Sequence, residues 1–271
     1  MLHRSKLFLS TSLLCCSLVP AWVGGQDNSI PSAQKVIEAY VNALGGEMKL
    51  QKVGAVSVTA KSDSLFGSPS SFHVLWKNGK FLVKETEVRG AKGKAYVQQF
   101  GFDGEHEWVH LAGAPPKRRQ NNASRSINNL ERFGVTPYAL ELLSFAGEVT
   151  QNGKQEINGQ ATWHLIFEWP NGQKDHRYFD IESGLLACVK IGIPPNADLR
   201  GGGGFGGGPP TRVFQWHDRQ GNGMTILKES RVVLNDNPDF RTQNESTTFD
   251  SAIDDGLFEI PSDVRETEDC K

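Results

Sequence analysis

The chain has 271 residues and a formal net charge of −2, from 29 Lys and Arg against 31 Asp and Glu. Nucleic-acid-binding proteins usually show a basic excess, so this balance argues against that class. A hydrophobic fraction of 38% is ordinary for a globular protein and argues against wholesale disorder. Glycine is the unusual count, with 29 residues, seven of which lie between Gly201 and Gly208.

The N-terminal segment has the features of a secretory signal peptide. Arg4 and Lys6 form a positive region, and the mostly apolar run Leu7–Val19 follows it. This run is shorter than the about 20 residues that cross a bilayer, so we predict removal of residues 1–25 with cleavage before Gln26. The alternative is an uncleaved N-terminal anchor. Removal leaves 27 basic and 31 acidic residues, a net charge of −4, in an exported protein.

Four cysteines divide between this segment and the rest of the chain. Lipid attachment at Cys15 or Cys16 would need a small residue before the cysteine, and Leu14 and Cys15 stand there instead. We therefore do not expect outer-membrane attachment by lipidation. Cys188 and Cys270 remain in the mature chain and could form one disulfide in an oxidising compartment. The alternative is a buried free Cys188 and an unpaired Cys270.

Helices are predicted near the N-terminus and in the centre of the chain. In residues 32–44, apolar side chains recur at helical spacing, and Ser32 is a suitable N-cap. Thr136-Pro137 is a strong helix start, with the threonine as N-cap and the proline in the first turn, for a helix over Tyr138–Phe145. A short helix over Ser126–Phe133 is also indicated.

Most of the remaining sequence alternates between apolar and polar residues, as strands do. Asn78-Gly79 and Asn171-Gly172 each separate two such runs, and Asn-Gly is the strongest short-range hairpin signal. Strands do not alternate with helices along the sequence, so a parallel sheet is not predicted. The sequence therefore predicts a mainly β (α+β) chain: a single large curved antiparallel sheet of ten or eleven strands that wraps around the N-terminal and central helices. The inner face of such a sheet is filled by the helices, by its own side chains or by a ligand.

Residues that usually carry chemistry do not form a recognisable pattern in the sequence. The motifs of serine hydrolases, zinc peptidases and phosphate-binding loops are absent from it. His164 and His176 could face each other across the hairpin at Asn171-Gly172, but no third metal ligand accompanies them. We therefore predict no catalytic residue, no metal site and no cofactor. The basic run Lys117–Arg119 follows two prolines and is predicted to be a solvated loop, which could also contact an anionic group.

Aromatic residues are concentrated in the predicted strands. A place in the core is the simplest interpretation for most of them, but a subset could line an apolar cavity beneath the helices, as a carrier of an apolar ligand needs. The predicted cavity residues are Trp76, Phe81, Trp163, Leu165, Phe167 and Phe179 on strands, with Tyr40 and Leu142 on helices.

Four segments together resemble the LolA/LolB-like superfamily of periplasmic outer-membrane lipoprotein-sorting proteins, over nearly the whole mature chain. The resemblance implies an incomplete antiparallel barrel of about eleven strands, with helices over an apolar cavity that takes up acyl chains without covalent chemistry. The segments are turns and strand ends, so they indicate the fold more strongly than the function. They are NALGG (42–46), FDGEHEW (102–108), RYFDIESGLL (177–186) and TTFDSAIDDGLFEIPSDV (247–264).

We therefore expect one domain over residues 26–261, with the Gly-rich insert 201–208 and a polar tail over 262–271. The expected function is that of a monomeric, non-enzymatic carrier or binding protein for a lipid or lipoprotein acyl chain. It has no nucleic-acid partner and no transmembrane segment in the mature chain. The alternative is an envelope sensor or interaction module, whose cup is filled by its own side chains and which contacts a protein partner through loops 113–126 and 201–208.

Overall fold

The structure, a computed structural model, describes residues 30–63, 69–89, 94–193, 211–220, 222–234 and 240–261. Several predictions concern residues outside these ranges and stay predictions. They are the signal peptide with Cys15 and Cys16, the insert 201–208, and the tail 262–271 with Cys270.

One antiparallel sheet dominates the described chain. Its strands are β1 (Ala55–Ser62), β2 (Ser70–Lys77), β3 (Lys80–Arg89), β4 (Lys94–Phe102), β5 (Glu107–His110), β6 (Lys117–Arg119), β7 (Glu148–Ile157), β8 (Gln160–Glu168), β9 (Lys174–Asp180), β10 (Leu186–Ile191), β11 (Thr211–Arg219), β12 (Thr225–Leu234) and β13 (Phe240–Phe249). The runs β1–β6 and β7–β13 are two meanders that join where β1 pairs with β13, which leaves β6 and β7 as free edges. The predicted fold class is confirmed, with thirteen strands in place of about eleven.

Short glycine-containing turns connect neighbouring strands of these meanders. Asn78 and Gly79 have φ values of 49° and 82°, which is the two-residue turn that matches the twist of a hairpin. Asn158 and Gly159 repeat this geometry between β7 and β8, with φ values of 50° and 80°. The hairpin predicted at Asn78-Gly79 is therefore confirmed.

The helices are α1 (Ala33–Leu44), α2 (Glu47–Leu50), α3 (Ala123–Arg132) and α4 (Leu142–Phe145), with 3-10 helices at Thr136–Glu141 and Asp255–Phe258. Helix α1 begins as predicted, because the Ser32 hydroxyl accepts a hydrogen bond from the Lys35 N–H at 3.3 Å. Its buried face is apolar and lies on the inner face of the sheet. That face consists of Val36, Ile37, Tyr40, Val41 and Leu44.

The central region departs from the sequence prediction at two places. The helix expected over Tyr138–Phe145 is a 3-10 turn followed by the single turn α4, and Thr136 lies inside it rather than capping it. Lys117–Arg119 is not a loop but the edge strand β6, which pairs with β5. Asn121 secures this arrangement, because its side-chain oxygen accepts a hydrogen bond from the Glu107 N–H at 2.8 Å.

Apolar clusters lie on both faces of the sheet. The larger cluster fills the space between the helices and the inner face. A smaller one lies on the outer face, where the C-terminal 3-10 helix brings Phe258 against Trp108 and Leu82. The Trp108 indole crosses Gly101 on the neighbouring strand so closely that a Cβ atom at Gly101 would overlap it. Glycine at this position therefore allows the tryptophan to lie flat against the sheet.

Candidate ligand-binding interior

The structure brings all eight predicted cavity residues into one apolar cluster between the helices and the sheet. Six of them are almost completely buried, and the rings of Tyr40 on α1 and Phe179 on β9 have centroids 5.2 Å apart. Trp76 and Trp163 are partly buried and pack against the margin of the cluster. The six buried residues are Tyr40, Phe81, Leu142, Leu165, Phe167 and Phe179.

Side chains pack closely in this interior, where the six buried residues are at most 3% exposed. Two surface clefts of about 410 Å³ each lie elsewhere, and none of the eight residues lines them. One cleft is next to the end of α1 and the β11–β12 turn, and the other is beside the C-terminal 3-10 helix. The role of the eight residues in ligand binding stays a prediction, and it requires that the helices move away from the sheet.

A cluster of charged and polar side chains joins α3 to β9 inside this apolar region. Ser124, Asn128 and Glu131 follow one another at helical spacing, so they share one side of α3. Asp175 and Arg177 are two apart on β9 and therefore share the inner face of the sheet. We call these five residues the polar cluster.

Arg177 is the centre of the polar cluster and is completely buried. Its Nε and Nη2 atoms donate to the two carboxylate oxygens of Glu131 at 2.9 and 3.0 Å, and Nη2 also donates to the Asn128 side-chain oxygen at 3.1 Å. The guanidinium lies 4.6 Å from the ring centroid of Phe167 and 5.1 Å from that of Trp169. This is the bidentate, aromatic-flanked geometry for which arginine is suited.

Asp175 is the second acid of the polar cluster, and its oxygens accept five hydrogen bonds from α3 and from the segments that follow β8 and β10. Its Oδ2 atom also lies 3.7 Å from Nη1 of Arg177, an atom without a hydrogen-bond partner in the described ranges. The five donors are Ser124 Oγ at 3.0 Å, Asn128 Nδ2 at 3.1 Å, Trp169 Nε1 at 2.7 Å, Gln173 Nε2 at 2.8 Å and Gly192 N at 2.9 Å.

Burial and charge act against each other in the polar cluster. Burial raises the pKa of Glu131, and the guanidinium of Arg177 opposes this rise. Burial alone would lower the pKa of Arg177, but the carboxylates of Glu131 and Asp175 outweigh it, so this pKa lies above its ordinary value. Arg177 is therefore held as a cation within an interior that is otherwise mostly apolar.

Helix α3 is also anchored at its C-terminal end. The last carbonyl groups of a helix lack partners within the helix. Here the carbonyls of residues 131–133 accept hydrogen bonds from the side chains of Gln215, Ser230 and Asn244, which are on β11, β12 and β13. Helix α3 is thus fixed to the sheet by polar contacts, whereas α1 covers the sheet mainly with apolar side chains.

One buried hydrogen bond joins α1 to the central 3-10 helix. The hydroxyl oxygens of Tyr40 and Tyr138 lie 3.1 Å apart, and both residues are buried. Burial, reinforced by the nearby Glu131 carboxylate, raises the pKa of both phenols, so both remain neutral. The two helical segments predicted to cover the sheet are therefore connected to each other.

Two histidines, on β8 and β9, and a cysteine on β10 lie on the outer face of the sheet, opposite the polar cluster. His164 Nε2 and His176 Nδ1 are 2.9 Å apart, so the two side chains do face each other as the sequence suggested. In the part of the chain that the structure describes, no group of three His, Cys, Asp or Glu residues could hold a metal ion. Burial raises the pKa of the Cys188 thiol to about 12. A disulfide with Cys270 stays a prediction.

The polar cluster was missed in the sequence, although a signal for it was present. Phe179 was predicted to face inward, and strand alternation then places Arg177 and Asp175 on the same face. Likewise, Asn128 and Glu131 are at helical spacing within the predicted short helix Ser126–Phe133, and Ser124 lies two residues before its predicted start.

The sequence matches no protein-family model and no curated protein. Solved structures nevertheless share the fold. A DUF1329 family protein from Desulfovibrio piger is 10% identical, with a TM-score of 0.53 over 83% of this chain and 96% of that chain. A LolA superfamily protein from Nitrosomonas europaea is 12% identical, with a TM-score of 0.51 over 84% of this chain and 98% of that chain.

A third similar structure is described as an outer membrane lipoprotein-sorting protein domain, from Vibrio parahaemolyticus. It is 10% identical, with a TM-score of 0.50 over 84% of this chain and 94% of that chain. These similarities confirm the predicted resemblance to the LolA/LolB-like superfamily at the level of the fold. Within the described ranges, no helix is long and apolar enough to cross a bilayer.

Proposed function

We propose that the protein is an exported, periplasmic carrier or binding protein that holds an acyl chain of a lipid or lipoprotein between its helices and the inner face of its sheet. The reaction class is reversible binding without covalent chemistry. The observation that carries the proposal is that the eight predicted residues belong to or pack against one apolar cluster beneath α1, α4 and the central 3-10 helix. The lipoprotein-sorting description of one protein with this fold supports the ligand class.

The contact between α1 and the sheet is apolar, which favours replacement of α1 on the inner face by an apolar ligand. Five apolar side chains of α1 are buried in the contact, including Tyr40. An acyl chain that enters beneath them gains about 0.8 kcal/mol of binding free energy for each CH₂ group that it buries. It also keeps the aromatic inner face out of water. The apolar surface that α1 uncovers is then covered again by the ligand, so opening costs less with an acyl chain than without one.

Binding tests this proposal directly. Protein purified from membranes of the cells that produce it is analysed by native mass spectrometry for a bound lipid, and the purified protein is titrated with a fluorescent fatty acid. We expect a co-purifying lipid or saturable uptake of the probe. Leu165→Gln, which places a polar group in the cluster, should weaken uptake, whereas the matched change at the exposed Leu257 should not. Neither a bound lipid nor uptake by the wild type would refute the proposal.

The filled interior favours a second candidate function. In that case the cluster is a permanent core, and the protein is an envelope sensor or interaction module that contacts a partner through loops. Of the two loops proposed for this contact, the structure describes 113–126, in which Lys117–Arg119 forms the basic edge strand β6. A pull-down from envelope extracts with wild type and with Lys117→Glu distinguishes the two functions: a partner lost in the variant, with no lipid uptake, favours the module.

A further inference from the structure

The polar cluster bears on which amphiphile would enter the interior. Arg177 lies on the inner face of β9, the third strand from the β7 edge of the sheet. It is directly opposite Leu165 on β8 and Val189 on β10. A buried charge is expensive to desolvate, and replacing both members of a buried ion pair by apolar residues of similar size is often neutral or stabilising. The presence of a guanidinium between apolar neighbours therefore points to a use beyond packing.

Arg177 is held in place by the sheet as well as by α3. Phe167 and Trp169 flank its guanidinium, and Asp175 lies beside it on the same strand. Asp175 is fixed in turn by donors outside α3, including the Trp169 indole at 2.7 Å. If Glu131 moved away, the guanidinium would keep its position, and its Nε and Nη2 atoms would be free to donate to another carboxylate.

Glu131 accepts hydrogen bonds from the same two guanidinium nitrogens of Arg177 that an anionic ligand would bind. Its two oxygens engage Nε and Nη2 side by side, as the oxygens of a ligand carboxylate or phosphate do. The Nη1 atom is completely buried and lacks a hydrogen-bond partner in the described ranges, so it could donate to a further ligand oxygen. Burial also raises the pKa of Glu131, which lowers the cost of separating it from Arg177 as a neutral acid.

We propose that Arg177 binds the anionic headgroup, a carboxylate or phosphate, of an amphiphile whose acyl chain lies along Leu165, Phe167 and Phe179, and that Glu131 takes the place of this headgroup when no ligand is bound. The inference rests on the proposed function and narrows its ligand class. Leu165 is directly opposite Arg177, and Phe179 is two residues further along β9, so a chain attached to the headgroup reaches the apolar cluster at once.

Calorimetric titration with four dodecyl probes tests the headgroup preference: laurate, dodecyl phosphate, dodecanol and dodecylamine. We expect both anions to bind at least about tenfold more tightly than dodecanol, because each gains charge-assisted hydrogen bonds to Arg177. Acetate and inorganic phosphate should bind far more weakly than the dodecyl anions. If they bind as tightly, the site is one for a small anion and the proposal is overturned.

Two variants assign the preference to the polar cluster. Glu131→Gln weakens the internal competitor, so it should increase the ratio of laurate to dodecanol affinity, while the matched change at the exposed Glu141 leaves the ratio unchanged. Arg177→Gln should reduce the ratio to about one. If that variant does not fold, as judged by circular dichroism, Glu131→Gln decides the outcome.

The possible results separate this inference from the proposed function. Binding of all four probes with equal affinity, or an unchanged ratio in Glu131→Gln, overturns the headgroup site and leaves the carrier function intact. Binding of none of the probes overturns both.

Discussion

Removal of the Arg177 guanidinium should destabilise the protein strongly. In Arg177→Met the Glu131 carboxylate remains buried but loses both of its hydrogen bonds from Arg177, at 2.9 and 3.0 Å. The side chain of Glu131 is 2% exposed and that of Arg177 is 0% exposed, so water cannot replace the lost partner without opening the structure. Breaking a buried ion pair from one side costs about 3–5 kcal/mol.

The double variant Arg177→Met/Glu131→Leu should recover most of this loss. Replacing both members of a buried ion pair by apolar residues is often neutral or stabilising, because the desolvation cost of both charges disappears. A matched control is Lys61→Met, which breaks the exposed ion pair with Glu245 and should cost less than about 1 kcal/mol. The contrast between the buried and the exposed pair isolates the effect of burial.

Urea unfolding followed by circular dichroism measures these free energies. The expected loss in Arg177→Met is a large part of the about 5–15 kcal/mol by which a protein of this kind is stable. A loss no greater than that of Lys61→Met, or a double variant no more stable than Arg177→Met, would show that the polar cluster does not hold α3 in the way described.

Three further outcomes follow from other parts of the structure. Tyr40→Phe should cost about 1 kcal/mol, and a double-mutant cycle with Tyr138→Phe should show a coupling energy, because their hydroxyls share one buried hydrogen bond; strictly additive effects would contradict this. Gly101→Ala should lower the thermal midpoint and change tryptophan fluorescence, because the new Cβ overlaps the Trp108 indole; an unchanged midpoint and spectrum would argue against that contact. Burial lowers the pKa of His164 from 6.5 to about 4, so the folded protein should lose stability as pH falls between these values. His164→Phe should flatten this part of the stability curve in urea unfolding at stepped pH, and an identical curve would contradict the assignment.

Local signals in the sequence were sufficient to predict much of the fold. Ser32 caps α1 because its side chain accepts a hydrogen bond from a backbone N–H of the first turn. Asn78-Gly79 forms a tight turn because both residues tolerate positive φ. Such signals act over a few residues. The edge strand Lys117–Arg119 was missed because its pairing with β5 depends on a tertiary contact, and its charged residues are not typical of strands.

The interior was predicted only for its apolar part. Hydrophobic residues at alternate positions mark a buried face, so Leu165, Phe167 and Phe179 were placed together correctly. Arg177 and Glu131 are 46 residues apart in the sequence, and each alone is typical of a solvated surface. Their pairing exists because α3 lies across β9, and no short-range pattern in the sequence encodes that crossing.

The central claim is that an acyl chain binds between the helices and the inner face of the sheet. The most direct measurement is NMR of methyl-labelled protein with laurate, read as intermolecular NOEs between the acyl chain and leucine methyl groups. The account predicts NOEs to Leu142 on α4 and Leu165 on β8, which lie on opposite sides of the apolar cluster. NOEs confined to the exposed Leu257, or none at all, would contradict it.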